Sequence, residues 1–448
     1  MFPLISHQRE DSVIAWRDGG PVTASRFLSD VAAVCAHLPD GRHMLNACGD
    51  RYRFAVGFAA ALVSKRVCLL PSTQAPEMIH QLAQFAPDAF CLTDNADCTV
   101  ALPQIQFPAL AETSGRPEAP FDVPEIDGAQ LAAYVFTSGS TGVPVPHKKN
   151  WGALVRNVRA EAQLCNLNDG RSHAVIGTVP PQHMYGFEST VLIVLQSGNA
   201  LVAGHSFYPA DVCNAIHSVP RPRVLVSTPV HLRSVISAGL DTPPVDLVLS
   251  ATAPLSVPLA KDLETRFQAP LLEIYGSTET GQIAVRSTAK TEEWQLFPGV
   301  SFTRRDDVTW ASGGHIEQPT PMNDVIECRG AGDRFLLHGR NADLINIAGK
   351  RNSLAYLNLQ LNAIPGVLDG AFFMPDTVMP DGVTRLTAFV VAPDLTPTKV
   401  LAALRQRVDA VFLPRPLVFV DTLPRNATGK LPREALKTLA LANARSGA

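Results

Sequence analysis

Tyr134-Val135-Phe136-Thr137-Ser138-Gly139-Ser140-Thr141-Gly142 is the stretch on which the reading of this chain turns. An apolar run of strand-forming residues breaks into alternating glycine and hydroxyl side chains. In such a loop the glycines let backbone N–H groups converge on an anion without Cβ clashes, and the hydroxyls add donors. Taken alone, the segment is equally compatible with an ordinary Ser/Gly turn. It is not a Walker loop, because no Lys-Ser or Lys-Thr follows in the required register.

The segments around it alternate between helix and strand. Phe27, Val31, Val34 and Leu38 recur at helical spacing, and Arg53 to Leu62 is small and apolar. Arg66 to Leu70 and Ala89 to Leu92 are short apolar runs of strand length, separated by a helical pattern over Pro76 to Phe85. Residues 103–128 hold several prolines and read as a surface connector. The rhythm returns with strands at Arg223–Ser227, Val245–Ser250 and Pro270–Tyr275 and a helix over Val230–Ala238. This pattern predicts an α/β fold of parallel-rich sheets covered by helices. A second, smaller α+β unit is expected beyond Arg340, with helices at Leu354–Leu361 and Lys399–Val411 and a strand at Arg385–Val391. The expected division is 1–339 for a large domain, 340–343 for a hinge and 344–448 for a small mobile one.

At 448 residues the chain exceeds one ordinary core. Its 46% hydrophobic and 18% charged residues suit a folded enzyme, and a net charge of -3 argues against a nucleic-acid partner. None of the eight cysteines forms a CxxC pair or a zinc-spaced cluster, so buried free thiols are expected. No signal-length or membrane-length apolar stretch is visible, which makes the cytoplasm the expected location and leaves no membrane partner.

Two further segments carry chemistry. In Glu273-Ile274-Tyr275-Gly276-Ser277-Thr278-Glu279-Thr280 an aromatic side chain closes a strand, a hydroxyl follows, and a carboxylate suited to a hard cation comes next. As a fragment it could equally be a strand ending in a polar helix cap. In Pro424 to Arg433, Lys430 stands behind Gly429 in a turn near the C-terminus.

These segments, in this order and spacing, resemble the adenylate-forming superfamily of acyl- and aryl-CoA ligases, peptide-synthetase adenylation domains and luciferases. Pro180 to Gly186 is similar to its acyl-pocket segment, and Leu249 to Leu255 to its adenine-side loop. Asp324 to Glu327 resembles the ribose-binding region without the usual Thr-Gly before it. Gly339-Arg340 and Ile347 to Arg351 resemble the hinge and the segment that follows. The resemblance runs from about Ala132 to Leu436. Departures are Val145 in place of the phosphate-loop lysine, with Lys148 and Lys149 nearby as possible substitutes, Ala342 at the hinge, and Ala251 and Thr252 where two glycines are usual.

The resemblance implies ATP and Mg2+ as cofactors, and a role for each residue. Thr137, Ser138, Gly139, Ser140, Thr141 and Gly142 would hold the β- and γ-phosphates. Thr278 would bond the α-phosphate, Glu279 would hold the metal, and Tyr275, Gly276 and Ser277 would line the adenylate. Asp324 and Arg340 would hold the ribose. Lys430 would bridge the attacking carboxylate and the α-phosphate, and His183 would join the catalytic residues while lining the acyl pocket. His183, Tyr185, Ser250, Ala253 and Gly276 would bind the acid, with Phe187 adding to a flat pocket. The implied activity is acyl-adenylate formation followed by transfer to a phosphopantetheine thiol. A hydroxylated aromatic acid such as 4-hydroxybenzoate or a hydroxycinnamate is the expected substrate. An acyl carrier protein is the expected acceptor, by resemblance to short ligases of aryl polyene and pigment clusters. Arg351, Arg405, Arg407, Arg415 and Arg425 would give the small domain a basic face for an acidic carrier. Coenzyme A is the alternative acceptor, and a catalytically inactive nucleotide-binding protein the second alternative.

Overall fold

The computed structural model of the chain describes residues 1–448 except 19, 110–120, 139–143, 205, 307, 341–343, 348–349, 376–384, 427–428 and 447–448. Two sheets carry the large domain. The first has six strands in the order Pro144–Asn150, Leu131–Ser138, Val67–Leu70, His43–Asn46, Phe90–Thr93, Gln104–Gln106. Its neighbours run parallel except for the antiparallel pair Leu131–Ser138 and Pro144–Asn150. The second sheet has eleven strands. At its centre Leu271–Ser277, Leu247–Ser250, Arg223–Ser227, Ala174–Gly177, Ala200–Val202 and Val13–Arg17 lie side by side and parallel, with antiparallel strands beyond them at both ends.

The burial of these strands follows from their position. Val67–Leu70, Phe90–Thr93, Ala174–Gly177 and Leu247–Ser250 are buried at every residue. A strand covered on both faces has no solvent side, so its sequence is a continuous apolar run rather than an alternating one. The helix Arg51–Val63 touches strands of both sheets. It is buried nearly all round, which explains its Ala- and Gly-rich sequence. Asp50 caps it, accepting from Arg53 N–H at 2.9 Å.

The smaller C-terminal domain has its own core. A three-stranded sheet of Asp369–Phe373, Thr387–Val391 and Leu417–Phe419 is flanked by the helices Leu354–Asn362, Pro397–Arg405 and Arg433–Ser446. Ser353 and Thr396 cap the first two of these helices.

The expected α/β class and the helix Pro76–Phe85 are observed as read. The helix expected over Lys399–Val411 instead stops at Arg405, and a separate 3-10 turn, Ala410–Phe412, is started by the Asp409 side chain. The connector over residues 103–128 contributes two short strands, Gln104–Gln106 and Glu125–Ile126, where its backbone pairs with a sheet edge and with the N-terminus. Of the expected hinge, the backbone of Arg340 pairs with Asp324, while residues 341–343 lie outside the described residues.

Candidate active site

Four adjacent parallel strands end on one line. Their register aligns Gly177 with Val226, Ser227 with Ser250, and Ser250 with Glu273. The segments leaving these ends are Thr178–His183, the Pro229–Ser237 helix, the Ala251–Leu255 turn and Tyr275–Glu279. Carboxyl ends of parallel strands are where α/β folds collect ligand-binding loops.

The Ala251–Leu255 turn carries Thr252 at φ +79°, a left-handed conformation that a β-branched residue rarely adopts. Its geometry is fixed on one side by Leu255 N–H donating to the buried Glu273 carboxylate at 2.9 Å. Ser250 is buried with its Oγ unpartnered, and Ala253 is half-buried.

Pro144–Asn150 brings a cluster to the phosphate-loop corner. Thr137 Oγ1 lies 2.9 Å from His147 Nε2, and that nitrogen lies 3.8 Å from a Glu279 carboxylate oxygen. Lys149 is buried and donates to the Glu279 carbonyl at 3.3 Å, whereas Lys148 and Val145 are exposed. Burial pushes the Glu279 carboxyl upward in pKa. Hydrogen bonds from its own backbone and Ser277, with the His147 and Lys149 charges, outweigh that and hold it below its usual range. Ser138 ends its strand, and Gly139, Ser140, Thr141 and Gly142 lie outside the described residues. Among the described residues no cluster of three or more His, Cys, Asp or Glu side chains could hold a metal ion.

Tyr275 donates from its hydroxyl to Asp324 at 2.6 Å and packs against Trp294 and Phe335. Gly276 is exposed beside it, Ser277 bonds Thr280, and Thr278 is half-buried. His183 stands on the large domain and Lys430 on the small one, close enough for the lysine charge to act on the imidazole. Burial drives the His183 pKa down to about 4, and the Lys430 charge pushes it the same way. The imidazole is therefore neutral at pH 7.

His183 begins a helical run that continues through Met184–Gly186, a π-helical turn Phe187–Leu192, and Ile193–Ser197. A π turn is a common device for aiming side chains at a functional site. Gly186 is required here, since a Cβ would lie 2.2 Å from Pro180 O. Tyr185 is buried, with its hydroxyl near the Ser227 backbone and without a side-chain partner. Phe187 is not part of a pocket: it is fully buried, edge-on to Phe58 with ring centroids 4.8 Å apart. Ser189, one turn beyond Tyr185, donates to Glu161 at 2.7 Å. The Gln282 amide lies against the same carboxyl group, with one of its two ends 3.0 and 3.1 Å from the carboxyl oxygens.

Residues 40–326 match the model of the AMP-binding enzyme family. The chain belongs to that family. It is 30% identical over 310 residues to 4-coumarate–CoA ligase of Rhodobacter capsulatus, an alignment covering 67% of this chain and 75% of the relative. It is 26% identical over 349 residues to 4-chlorobenzoate–CoA ligase of an Arthrobacter species, covering 68% and 65%. The solved anthranilate CoA ligase AuaEII in complex with anthranoyl-AMP superposes with a TM-score of 0.80 over 98% of this chain and 96% of that one, at 14% identity. This AMP-binding enzyme is accordingly an acid–thiol ligase that activates a carboxylic acid as its adenylate.

Several residues of this AMP-binding enzyme escaped the motif reading. Arg51 is fully buried and donates to Gly177 O at 2.8 Å and Val179 O at 3.0 Å, tying the helix Arg51–Val63 to the segment that leads into His183. Its pKa is lowered to about 10 by burial. Glu161 and Arg51 carried a readable signal. Leu154, Val158 and Glu161 share one helix face, as do Arg51, Phe54 and Phe58, so each charge sits on an apolar stripe. Of the basic residues expected on a carrier-facing surface, Arg405, Arg407 and Arg415 are exposed, but Arg425 is engaged by Asp369 at 2.7 Å. No helix among the described residues is long and apolar enough to cross a membrane.

Proposed function

We propose that this ligase adenylates a small hydroxylated aromatic acid with ATP and Mg2+ and passes it to the phosphopantetheine thiol of an acyl carrier protein. The observation that carries the reading is the seating of the lysine turn on the large domain, with Gly429 against Val230 and Thr228 at the start of the Pro229–Ser237 helix and the Lys430 charge acting on His183. A cation there faces the point where two anions must meet.

In the first half-reaction a carboxylate oxygen of the acid bonds to the α-phosphorus, and the bond to pyrophosphate breaks. Such transfers are served by positioning and charge stabilisation. Lys430 is assigned to the charge developing between carboxylate and α-phosphate. Thr278 donates to the α-phosphate, Tyr275 lies along the adenine, and Asp324 and Arg340 take the ribose hydroxyls. The hydroxyls and backbone of residues 137–142 hold the outer phosphates. Glu279 fits Mg2+, because its carboxylate stays ionised and open to solvent beside Thr137. When bound, the ion neutralises phosphate charge. In the second half-reaction the thiol sulfur attacks the acyl carbonyl and AMP leaves.

The acid is read from His183, Tyr185 and the residues beneath them. A buried Tyr185 hydroxyl without a side-chain partner suits a substrate carrying one polar ring substituent, since unmet hydrogen-bonding capacity in a buried hydroxyl costs roughly 1–3 kcal/mol. Coenzyme A is the second reading of the acceptor, favoured by the names of the relatives. The deciding experiment offers purified enzyme ATP, 4-hydroxybenzoate or 4-coumarate, and either coenzyme A or a phosphopantetheinylated carrier, with products read by mass. Acylated carrier is expected. Efficient coenzyme A thioester with no acylation of any carrier would overturn the carrier assignment, and preference for an octanoyl-length acid would overturn the aromatic one.

A further inference from the structure

We infer that Arg233, acting through Asp369 and Arg425, is a positioning residue that latches the small domain in place and sets Lys430 for adenylation. The inference rests on Lys430 being the lysine of the first half-reaction.

The Pro229–Ser237 helix is the surface on which the lysine turn docks. It leaves the Arg223–Ser227 strand at the site end of the sheet, capped by Thr228 with Pro229 at its first position. Gly429, the residue before Lys430, sits at φ +75° against the start of this helix. A Cβ on it would lie 3.2 Å from Val230 Cγ2 and 3.5 Å from Thr228 Oγ1. One turn further along the same helix, Arg233 reaches across to the small domain. It donates to Leu368 O and to Asn362 Oδ1, the latter at 3.4 Å, and lies 3.7 Å from Asp369 Oδ1.

Asp369 then hands the restraint on. Its two oxygens accept from Arg425 Nε at 2.7 Å and from the second guanidinium nitrogen at 2.8 Å. The remaining Arg425 nitrogen donates to Gly429 O at 2.8 Å. Lys430 is held from its own side, with its N–H donating to Asn426 Oδ1 at 2.9 Å and its carbonyl accepting from Asn426 N–H at 2.9 Å. A continuous set of directional contacts therefore runs from a large-domain helix to the backbone of the catalytic lysine. Nothing in it touches substrate.

The energetics suit a contact that forms and breaks. Arg233 is largely withdrawn from water, and that burial lowers its pKa while the Asp369 charge acts in the opposite direction. Desolvation offsets most of the Coulomb gain in such a pair, so the net stability it adds is small. What it supplies is register: only one placement of the small domain gives Arg233, Asp369 and Arg425 their partners together. Release returns Arg233 to water while Asp369 keeps Arg425, so the contact breaks at little cost, as a domain that must move between half-reactions requires.

The test uses the full-length Arg233→Met protein, which keeps the aliphatic stem and loses the charge. Three measurements are made: carboxylate-dependent pyrophosphate exchange, thiol transfer from chemically synthesised acyl-adenylate, and amide hydrogen exchange without substrates. We expect adenylation to fall on the order of tenfold or more, as misplacement of a reacting group does. Transfer from preformed adenylate should be unchanged, and amides around Leu368 and Gly429 should exchange faster. Equal slowing of both half-reactions, or wild-type adenylation and amide protection, would overturn the latch. Absence of pyrophosphate exchange in the wild-type protein would instead refute the functional reading. Amide exchange would then decide the latch by itself, with faster exchange in the variant upholding it and unchanged exchange refuting it.

Discussion

Glu161 is a carboxyl group with no room for a charge. It is fully buried on the helix Trp151–Leu164, and burial raises its pKa from an ordinary 4.5 to about 8, against a small opposite pull from the Ser189 hydroxyl. The protonated acid is therefore the folded-state form near neutrality. Between pH 4.5 and about 8 the native protein binds a proton that the unfolded chain releases. Its contribution to stability is complete below the lower value and is lost as pH rises toward the upper one. Glu188 is raised as well, first by burial, but Lys149 opposes that shift, so Glu161 is the cleaner case. The Glu161→Gln protein, neutral at all pH values and still able to accept from Ser189, should lose part of the fall in melting temperature between about pH 5 and pH 8. Parallel melting curves for the two proteins across that range would show that the carboxyl is ionised in the fold.

Elements differ in how much of them can be read in advance. Helices with a clean apolar stripe and short strands with continuous apolar runs were legible, because local period reports which faces are covered. Pro76–Phe85 is such a helix and Val67–Leu70 such a strand. The end of the Pro397–Arg405 helix was not legible. Asp409 starts a new turn there, and a pattern of apolar residues does not distinguish two short helical pieces from one long one. The motif segments of the site were legible as well, and Arg51 was legible as a charge on an apolar stripe, but the partners it holds were not. Arg51 reaches carbonyls 126 and 128 residues away, and such pairings leave no mark on local spacing. That link gives a prediction about the element it anchors. Arg51→Ala would strand the carbonyls of Gly177 and Val179 without donors and open space beneath the helix. A loss of about 3 kcal/mol or more in urea-induced unfolding is expected. A change within about 0.5 kcal/mol, the range of an ordinary surface substitution, would show that the carbonyls find other donors.

The molecule as a whole brings a cation from its last segment to a cleft built by its middle. Lys430 stands in the C-terminal domain and His183 beyond a strand end of the large one, and the small domain brings the lysine turn to the large domain by seating Gly429 on the Pro229–Ser237 helix. This arrangement suits the role proposed for Lys430 in adenylation, where it would face both the carboxylate and the α-phosphate. The thiol-transfer step needs the same cleft opened to a pantetheine arm, which accounts for placing the lysine on a separate domain. The account stands or falls on carboxylate-dependent exchange of labelled pyrophosphate into ATP, measured for the wild-type and Lys430→Ala proteins with 4-hydroxybenzoate and 4-coumarate. Exchange in the wild type that drops on the order of 10²-fold or more in the variant, with ATP binding nearly retained, is the predicted result. Undiminished exchange in Lys430→Ala, or no exchange by the wild-type protein with any acid, would contradict it.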